Sequence, residues 1–411
     1  MEIKPIFSAL MRSKTGPILV AVQVALSLAI LANALHIVSV RQEVAARPTG
    51  IANEEQVFSI SVKALNPGGH EQQIATQNSE TAALRAVPGI TSVANVNQIV
   101  LSRSGNYNSV AANREQERST ASPSMYVTSD SLVKTWGLKI IDGRDFTPQD
   151  VLEFDQKTSK AFPTVALITK VLGQKVWPDA ASFVGKKMYY GTGAEAREVT
   201  VIGVIDTLET PSAAMGADGE MSTMVPARTS GSSRTLYTLR AEPGQRDRAM
   251  KDAEEAIRKL HNGQVVVHSK TQSEQRVNRY KADYALAWML ITVSVLLMMV
   301  TASGIVGMAS LWVTQRRKQI GVRRALGARK FDILRYFVTE NLMITTTGIV
   351  GGLLGALALN QLLVSKLELA RLPAEYMVIG AAAFWALGIA AVYGPAWRAA
   401  SISPALATRS A

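Results

Sequence analysis

Cysteine does not occur in this 411-residue chain, and histidine occurs only four times, at His36, His70, His261 and His268. The first absence excludes disulfides, so any hydrophilic domain must be held by packing alone, which a block of more than about 200 residues can do. The second leaves no two imidazoles at metal-ligand spacing, and no metal site or catalytic residue is assigned. Neither a G-x-S-x-G nucleophile elbow nor a G-x-x-x-x-G-K-[ST] phosphate loop is present. The chain therefore reads as no enzyme in its own right, with no cofactor of its own. Asp142-Gly143-Arg144-Asp145 pairs two carboxylates, but Asp and Gly at such a site make a turn.

Charge is missing from four long stretches, residues 17–40, 284–315, 341–365 and 376–397. Each exceeds the ~20 apolar residues that cross a hydrocarbon core as a helix. The spans are placed at 17–40, 284–313, 338–365 and 376–397. A polar block, 41–283, separates the first from the other three. Ala32-Asn33-Ala34 has the small-x-small form of a cleavage site, yet apolar residues continue to Val40, as in an anchor.

Positive charge is unevenly placed. Over 314–337 there are eight basic residues against the single acid Asp332, a net +7, while the block 41–283 holds 29 basic and 27 acidic residues. Lys and Arg are retained on the cytoplasmic side. Both termini and the coupling segment 314–337 are thus expected inside, with 41–283 and the short loop 366–375 outside. The formal charge of +12 is topological, since no aromatic-interleaved basic groove accompanies it, and nucleic acid is not expected as a partner.

The outer block reads as mixed α and β in two lobes. Strands are expected at 57–62, 91–101 (irregular), 199–205, 234–240 and 265–267, and a buried strand entering a helix at 162–172. A short helix is expected at 77–86, ending at Pro88-Gly89. Met250, Ala253, Ile257 and Leu260 form the stripe of another. Residues 106–122 lack periodicity and read as a loop or subdomain tip. From 271 to 303 there is neither Pro nor Gly, so one helix can run from 271 to about 317, its polar part 271–283 forming a stalk that enters the second span. Gly348, Gly351, Gly352 and Gly355 on the third span and Gly304 and Gly307 on the second supply small surfaces for helix packing. No span carries a charge near its centre, which argues against an ion path; Glu340 lies at an inner edge. Ile3, Ile6, Phe7, Leu10 and Met11, flanked by Lys4, Arg12 and Lys14, give residues 1–16 the pattern of an amphipathic cytoplasmic helix on the lipid bilayer.

Residues 315–334 read QRRKQIGVRRALGARKFDIL. Here the chain resembles the FtsX-like permease family of ABC transporters, in the branch that includes MacB and LolC, whose pattern is R-R-x-E-I-G-[IV]-R-x-A-[LM]-G-A. Gln319 stands where the family has Glu. Residues 395–404, PAWRAASISP, resemble the family's terminal P-A-x-R-A-A-x-x-x-P, although 405–411 depart from its V-E-A-L-R. Pro88-Gly89-Ile90, the run 137–146 and Val201-Ile202-Gly203-Val204-Ile205 look like signatures of the MacB-type periplasmic domain.

The resemblance implies a multi-pass permease of the bacterial inner membrane: four transmembrane helices and a large α+β periplasmic domain. It implies a dimer, with an identical or homologous second permease, and a pair of ABC ATPase subunits that supply ATP and Mg in trans. A periplasmic adaptor and an outer-membrane channel would complete an efflux assembly. Mechanotransmission would replace a conduit through the spans, and the cargo would be an antibiotic, peptide or similar compound. A lipoprotein-releasing permease like LolC and a non-transporting regulator of cell-wall hydrolases like FtsX are the alternatives. Docking on the ATPase is expected from Ile320, Gly321, Arg323, Arg324, Leu326, Gly327, Arg329 and Ile333, with the arginines meeting carboxylates and the glycines allowing tight turns or close approach.

The missing cysteines make the topology directly testable. A single cysteine at Lys251 is expected to react with an impermeant maleimide in outer-membrane-permeabilised cells, and one at Lys330 only after the inner membrane is opened. The reverse order would invert the orientation.

Overall fold

A computed structural model describes residues 15–103, 105–367 and 371–401. The helix expected at 1–16, apart from Thr15 and Gly16, and the tail from 402 onward lie outside the described residues. In chain order, α1 (Thr15–Ala46) leads to β1 (Val57–Ala64), α2 (His70–Arg85) and β2 (Ile90–Asn95). Then come β3 (Val110–Ala111), β4 (Ser124–Thr128), α3 (Leu132–Trp136), β5 (Ile140–Gly143), β6 (Leu152–Asp155), β7 (Val165–Thr169) and α4 (Lys170–Val176). Next are β8 (Lys187–Tyr190), β9 (Arg197–Ile205), β10 (Ser222–Ser230), β11 (Arg234–Ala241), α5 (Arg246–Leu260) and β12 (Val265–Thr271). Four helices follow: α6 (Gln272–Gln315), α7 (Arg317–Ala325), α8 (Lys330–Leu367) and α9 (Ala374–Ala400). The chain divides into two compact units, one being Val44–Ala282 and the other the chain on either side of it.

The unit Val44–Ala282 has two lobes, one inserted into the other. The first is an antiparallel sheet of order β12-β1-β11-β2, a βαββαβ arrangement. Its core joins Phe58, Ile60 and Val62 to Leu84 of α2 and to Ala249, Ala253 and Ile257 of α5. Everything from β3 to β10 is inserted between β2 and β11. It forms an eight-stranded mixed sheet of order β3-β8-β9-β7-β10-β4, with β5 on β9 and β6 on β10. A third cluster joins the lobes: Trp136 is fully buried, donates Nε1–H to Thr238 Oγ1 at 2.7 Å, and stands edge-on to Tyr126 with ring centroids 5.4 Å apart.

Several expectations need correction. The helix placed at 77–86 starts at His70, because Gly69 opens it and its first turns are polar, which hides their period. The stripe of α5 runs through Ala249, Ala253 and Ile257, while Leu260 is exposed. Regular pairing over 91–101 ends at Asn95. Residues 106–122 are anchored through β3, whose Val110 and Ala111 are fully buried beside β8.

The other unit carries the four long apolar helices α1, α6, α8 and α9, each long and apolar enough to cross a membrane. α1 touches all three partners. A Cβ added at Gly348 or Gly352 of α8 would lie 2.7 Å from Ala21 O or 2.9 Å from Ala25 O. The backbones can approach this closely only because no side chain intervenes. Gly351 and Gly355 give ordinary contact, at 3.5 Å, with Ala25 and Ala29. α6 contributes Gly304 opposite Gln23 and a Thr301–Ser27 hydroxyl hydrogen bond of 3.0 Å, and Gly380 of α9 faces Leu28. Gly307 does not pack within the chain: nothing lies within 4 Å of a Cβ there. It sits about 120° round α6 from Thr301, off the buried stripe Thr301, Ile305, Ala309 and Trp312. Asn33 donates Nδ2–H to Ala356 O at 3.1 Å, and Arg41 pairs with Asp283.

Glu209 is the conspicuous buried acid of Val44–Ala282. Tyr280 donates to its Oε1 at 3.2 Å, and Oε2 has no partner. Burial pushes its pKa up to about 7, against the opposing pull of Tyr280, Arg276 and Arg47. Between pH 4.5, its ordinary value, and about 7 the folded chain therefore binds more protons than the unfolded one. The stability this group contributes is present at low pH and lost as pH rises through that window. Glu209→Gln is expected to flatten the fall in unfolding temperature between about pH 5 and pH 8, and identical slopes in parent and variant would refute the assignment.

Candidate functional site

The backbone between α6 and α8 turns twice. Trp312 O accepts the Arg316 N–H at 2.9 Å, and Arg316, at φ −98° and ψ 11°, separates α6 from α7. At the other end of α7 Gly327 takes φ +96°, a conformation that a Cβ would strain. The Ala328 N–H donates to Arg323 O at 3.0 Å and the Gly327 N–H to Arg324 O at 3.2 Å, which closes the helix. Asp332 accepts the Arg329 N–H at 2.9 Å and so caps α8.

A buried ion pair fixes this corner. Glu340 of α8 is 1% exposed at its side chain, and both its oxygens accept from Arg316 Nη1 at 2.9 Å. Arg316 also donates to Tyr336 Oη at 3.3 Å and lies 5.7 Å from the Trp312 ring centroid. The carboxylate at the edge of the third span therefore has a dedicated partner 24 residues earlier. Arg323 covers the Tyr336 ring at 5.1 Å, and Arg324 donates to Ala328 O at 3.2 Å. Both arginines are thus engaged inside the loop.

The eight expected docking residues separate into two groups. Ile320 and Ile333, 5% and 3% exposed, join Phe337 in the core of the spanning unit, and Gly321 is buried within α7, not at a turn. They hold α7 in place. Leu326, 83% exposed, and Arg329 point outward, as does Gly327 at the turn. Val322 and Phe331 are exposed too, and as single apolar residues they carry no periodic signal in the sequence. Val322 and Leu326 stand four residues apart, a spacing that marks one helix face, and that face is the one opposite Ile320. Arg317, Lys318 and Lys330 of the same segment are exposed as well. The result is a small apolar knob in a basic collar, braced from within. It offers no nucleophile, and no group of three or more His, Cys, Asp or Glu able to hold a metal occurs among the described residues.

Comparison with known proteins gives two family matches. Residues 24–260, more than half of the chain, match the MacB-like periplasmic core domain, and residues 291–404 match the FtsX-like permease C-terminal region. A pyoverdine export ATP-binding/permease protein of Pseudomonas savastanoi pv. phaseolicola is 29% identical over 268 residues, covering 62% of this chain and 39% of that protein. A macrolide export ATP-binding/permease protein of Acinetobacter baylyi is 25% identical over 276 residues, covering 65% and 40% respectively. One from Bradyrhizobium diazoefficiens is 37% identical over 124 residues, covering 30% and 19%. The chain spans about two fifths of the length of the first two.

Removing one member of a buried pair strands the other charge. Arg316→Met is expected to destabilise the chain by about 3–5 kcal/mol, and the double variant Arg316→Met with Glu340→Leu to recover most of that loss. Unfolding in detergent measures both, and a double variant no better than the single would exclude the pair as the bracing element.

Proposed function

Since the chain belongs to the family of permeases that join a MacB-like periplasmic core domain to an FtsX-like C-terminal region, we propose that it is the transmembrane component of an ATP-driven exporter. Its spans carry no relay of charges across their centres, so the work is done by moving the large unit. The observation that carries this reading is α6. It runs without a break from Gln272 to Gln315, starting in a reciprocal cap in which Thr271 N–H donates to Glu274 and Glu274 N–H to Thr271 Oγ1. Its far end abuts the braced knob of α7. A push on that knob is passed along a single stiff helix to the sheet strand β12, which ends where α6 begins.

The ATPase that delivers the push lies outside these 411 residues, which hold no phosphate loop. We assign it to a pair of partner subunits docked on Val322, Leu326 and Phe331, with the collar of Arg and Lys meeting carboxylates. The basic residues of that loop favour a cytoplasmic position for it, with the unit Val44–Ala282 outside. Mechanotransmission also calls for two permeases, since a single lever has nothing to close against. The exposed small-residue surface around Gly307 suits that second copy. The relatives' printed names, macrolide and pyoverdine export, favour a small secreted compound as cargo and a chain of periplasmic adaptor and outer-membrane channel as its route.

Docking is tested at the outward residues, because Arg323 and Arg324 have internal duties. In a complex purified from native membrane and reconstituted, Leu326→Asp with Arg329→Glu is expected to lower permease-stimulated ATP hydrolysis about tenfold or more, with an unchanged unfolding temperature. Full stimulation in that variant would remove α7 as the docking element.

A further inference from the structure

The four-stranded sheet has a second face. α2 and α5 cover the side that bears Phe58, Ile60 and Val62, and the alternation of a strand sends Ser59, Ser61 and Lys63 to the other. Pairing sets Ser61 between Leu236 and His268, and Ser59 between Thr238 and Lys270. This face forms one wall of an open cleft of about 970 Å³ that lies wholly within Val44–Ala282, with Gln156 and Thr229 of the inserted segment on its far side.

The chemistry of its 22 lining residues is one-sided. Seven are carboxamides and seven are hydroxyls; none is Asp or Glu, none is Phe, Tyr or Trp, one is the imidazole of His268, and only four are aliphatic. The surrounding block is nearly neutral, with 29 basic against 27 acidic residues, so the missing carboxylates are a property of the cleft and not of the domain. Arg234 and Lys270 are exposed and have no ion-pair partner among the described residues. Gln77, 7% exposed, spends its Nε2–H on Thr229 O at 2.9 Å, while its Oε1 has no hydrogen-bond partner. That is an unmet buried acceptor in the wall, beside two unpaired cations.

We propose that this cleft binds a short acidic peptide or peptide-like molecule. Its amide N–H groups would satisfy Gln77 and the carboxamides, and its carboxylates would meet Arg234 and Lys270, which draw anions into a cleft that has no charge of the other sign. A large apolar compound suits the cleft poorly, since covering Gln77 Oε1 and the Arg234 and Lys270 head groups with hydrocarbon would leave an acceptor and two charges unpaired. The proposal goes beyond the export reading and stands without it, because binding needs neither nucleotide nor ATPase.

The test uses the full chain in detergent, without nucleotide, and calorimetric titration with the tetrapeptide Ser-Glu-Asn-Glu. Its neutral counterpart Ser-Gln-Asn-Gln with an amidated C-terminus and a uronic acid disaccharide are titrated alongside. The acidic tetrapeptide is expected to bind with a Kd below about 1 mM. Binding should weaken about tenfold or more in the doubly substituted Arg234→Gln, Lys270→Gln chain, and be blocked by Ser61→Trp, which fills the cleft without changing charge. Parent-like unfolding temperatures show that the variants fold. No binding at about 10 mM, equal affinity for the neutral peptide, preference for the uronic acid, or parent affinity in the doubly substituted chain would each overturn the proposal. Loss of ATPase stimulation, by contrast, bears only on the export reading.

Discussion

The backbone hydrogen-bond ladder of α6 is the constraint on which the rest depends. Over 44 residues each N–H reaches back to the carbonyl four positions earlier, giving a helix about 66 Å long at 1.5 Å per residue. In hydrocarbon no water can replace a broken rung, so a bend inside the bilayer is costly unless a neighbouring helix supplies the lost partner. The absence of Pro and Gly from 271 to 303 extends that stiffness into the polar stretch before it, where water could otherwise soften the ladder. Had a glycine pair stood at the end of β12, the same fold would carry a hinge instead of a shaft.

A stiff helix transmits only what its ends can hold. At one end the reciprocal Thr271–Glu274 cap ties it to β12; at the other, Arg316 interrupts the helical turn and the Arg316–Glu340 pair fastens the corner. A buried pair is a poor source of net stability, but it permits one geometry and penalises the others heavily. That is the property the proposed coupling role would need. The apolar interior residues Ile320, Ile333 and Phe337 then fix the rotation of α7, so that Leu326 and its neighbours face away from the bundle.

The four long helices were legible because absence of charge over more than 20 residues has few other meanings. The unbroken α6 was legible for the same kind of reason. What failed was local pattern in the large unit. β10 is a central strand of its sheet, yet Pro226 in its middle makes the run read as something else, because Pro cannot donate to a ladder. β3 is two residues long and has no period to detect. At the corner between α6 and α8 a motif locates the segment but cannot say which side chains turn inward, as those of Ile320 and Ile333 do. Val322 and Phe331 are not legible in the sequence, because single exposed apolar residues carry no periodic signal. Glu340 was noticed without its partner, since no sequence rule pairs positions 24 apart across a double turn.

The insertion of one lobe into the other sets an order of events during biogenesis. Phe58 of β1 must pair with Leu239 and Thr271, which emerge from the ribosome some 180 to 210 residues later. At 5–20 residues per second the early strand waits roughly 10–40 s for its neighbours. During that interval Phe58, Ile60 and Val62 have no sheet to join, while the inserted lobe can already close on itself. Export of the outer unit, as proposed above, would therefore expose a short strand that the cysteine-free chain cannot staple with disulfides, and a holdase able to cover its eight residues would act there first.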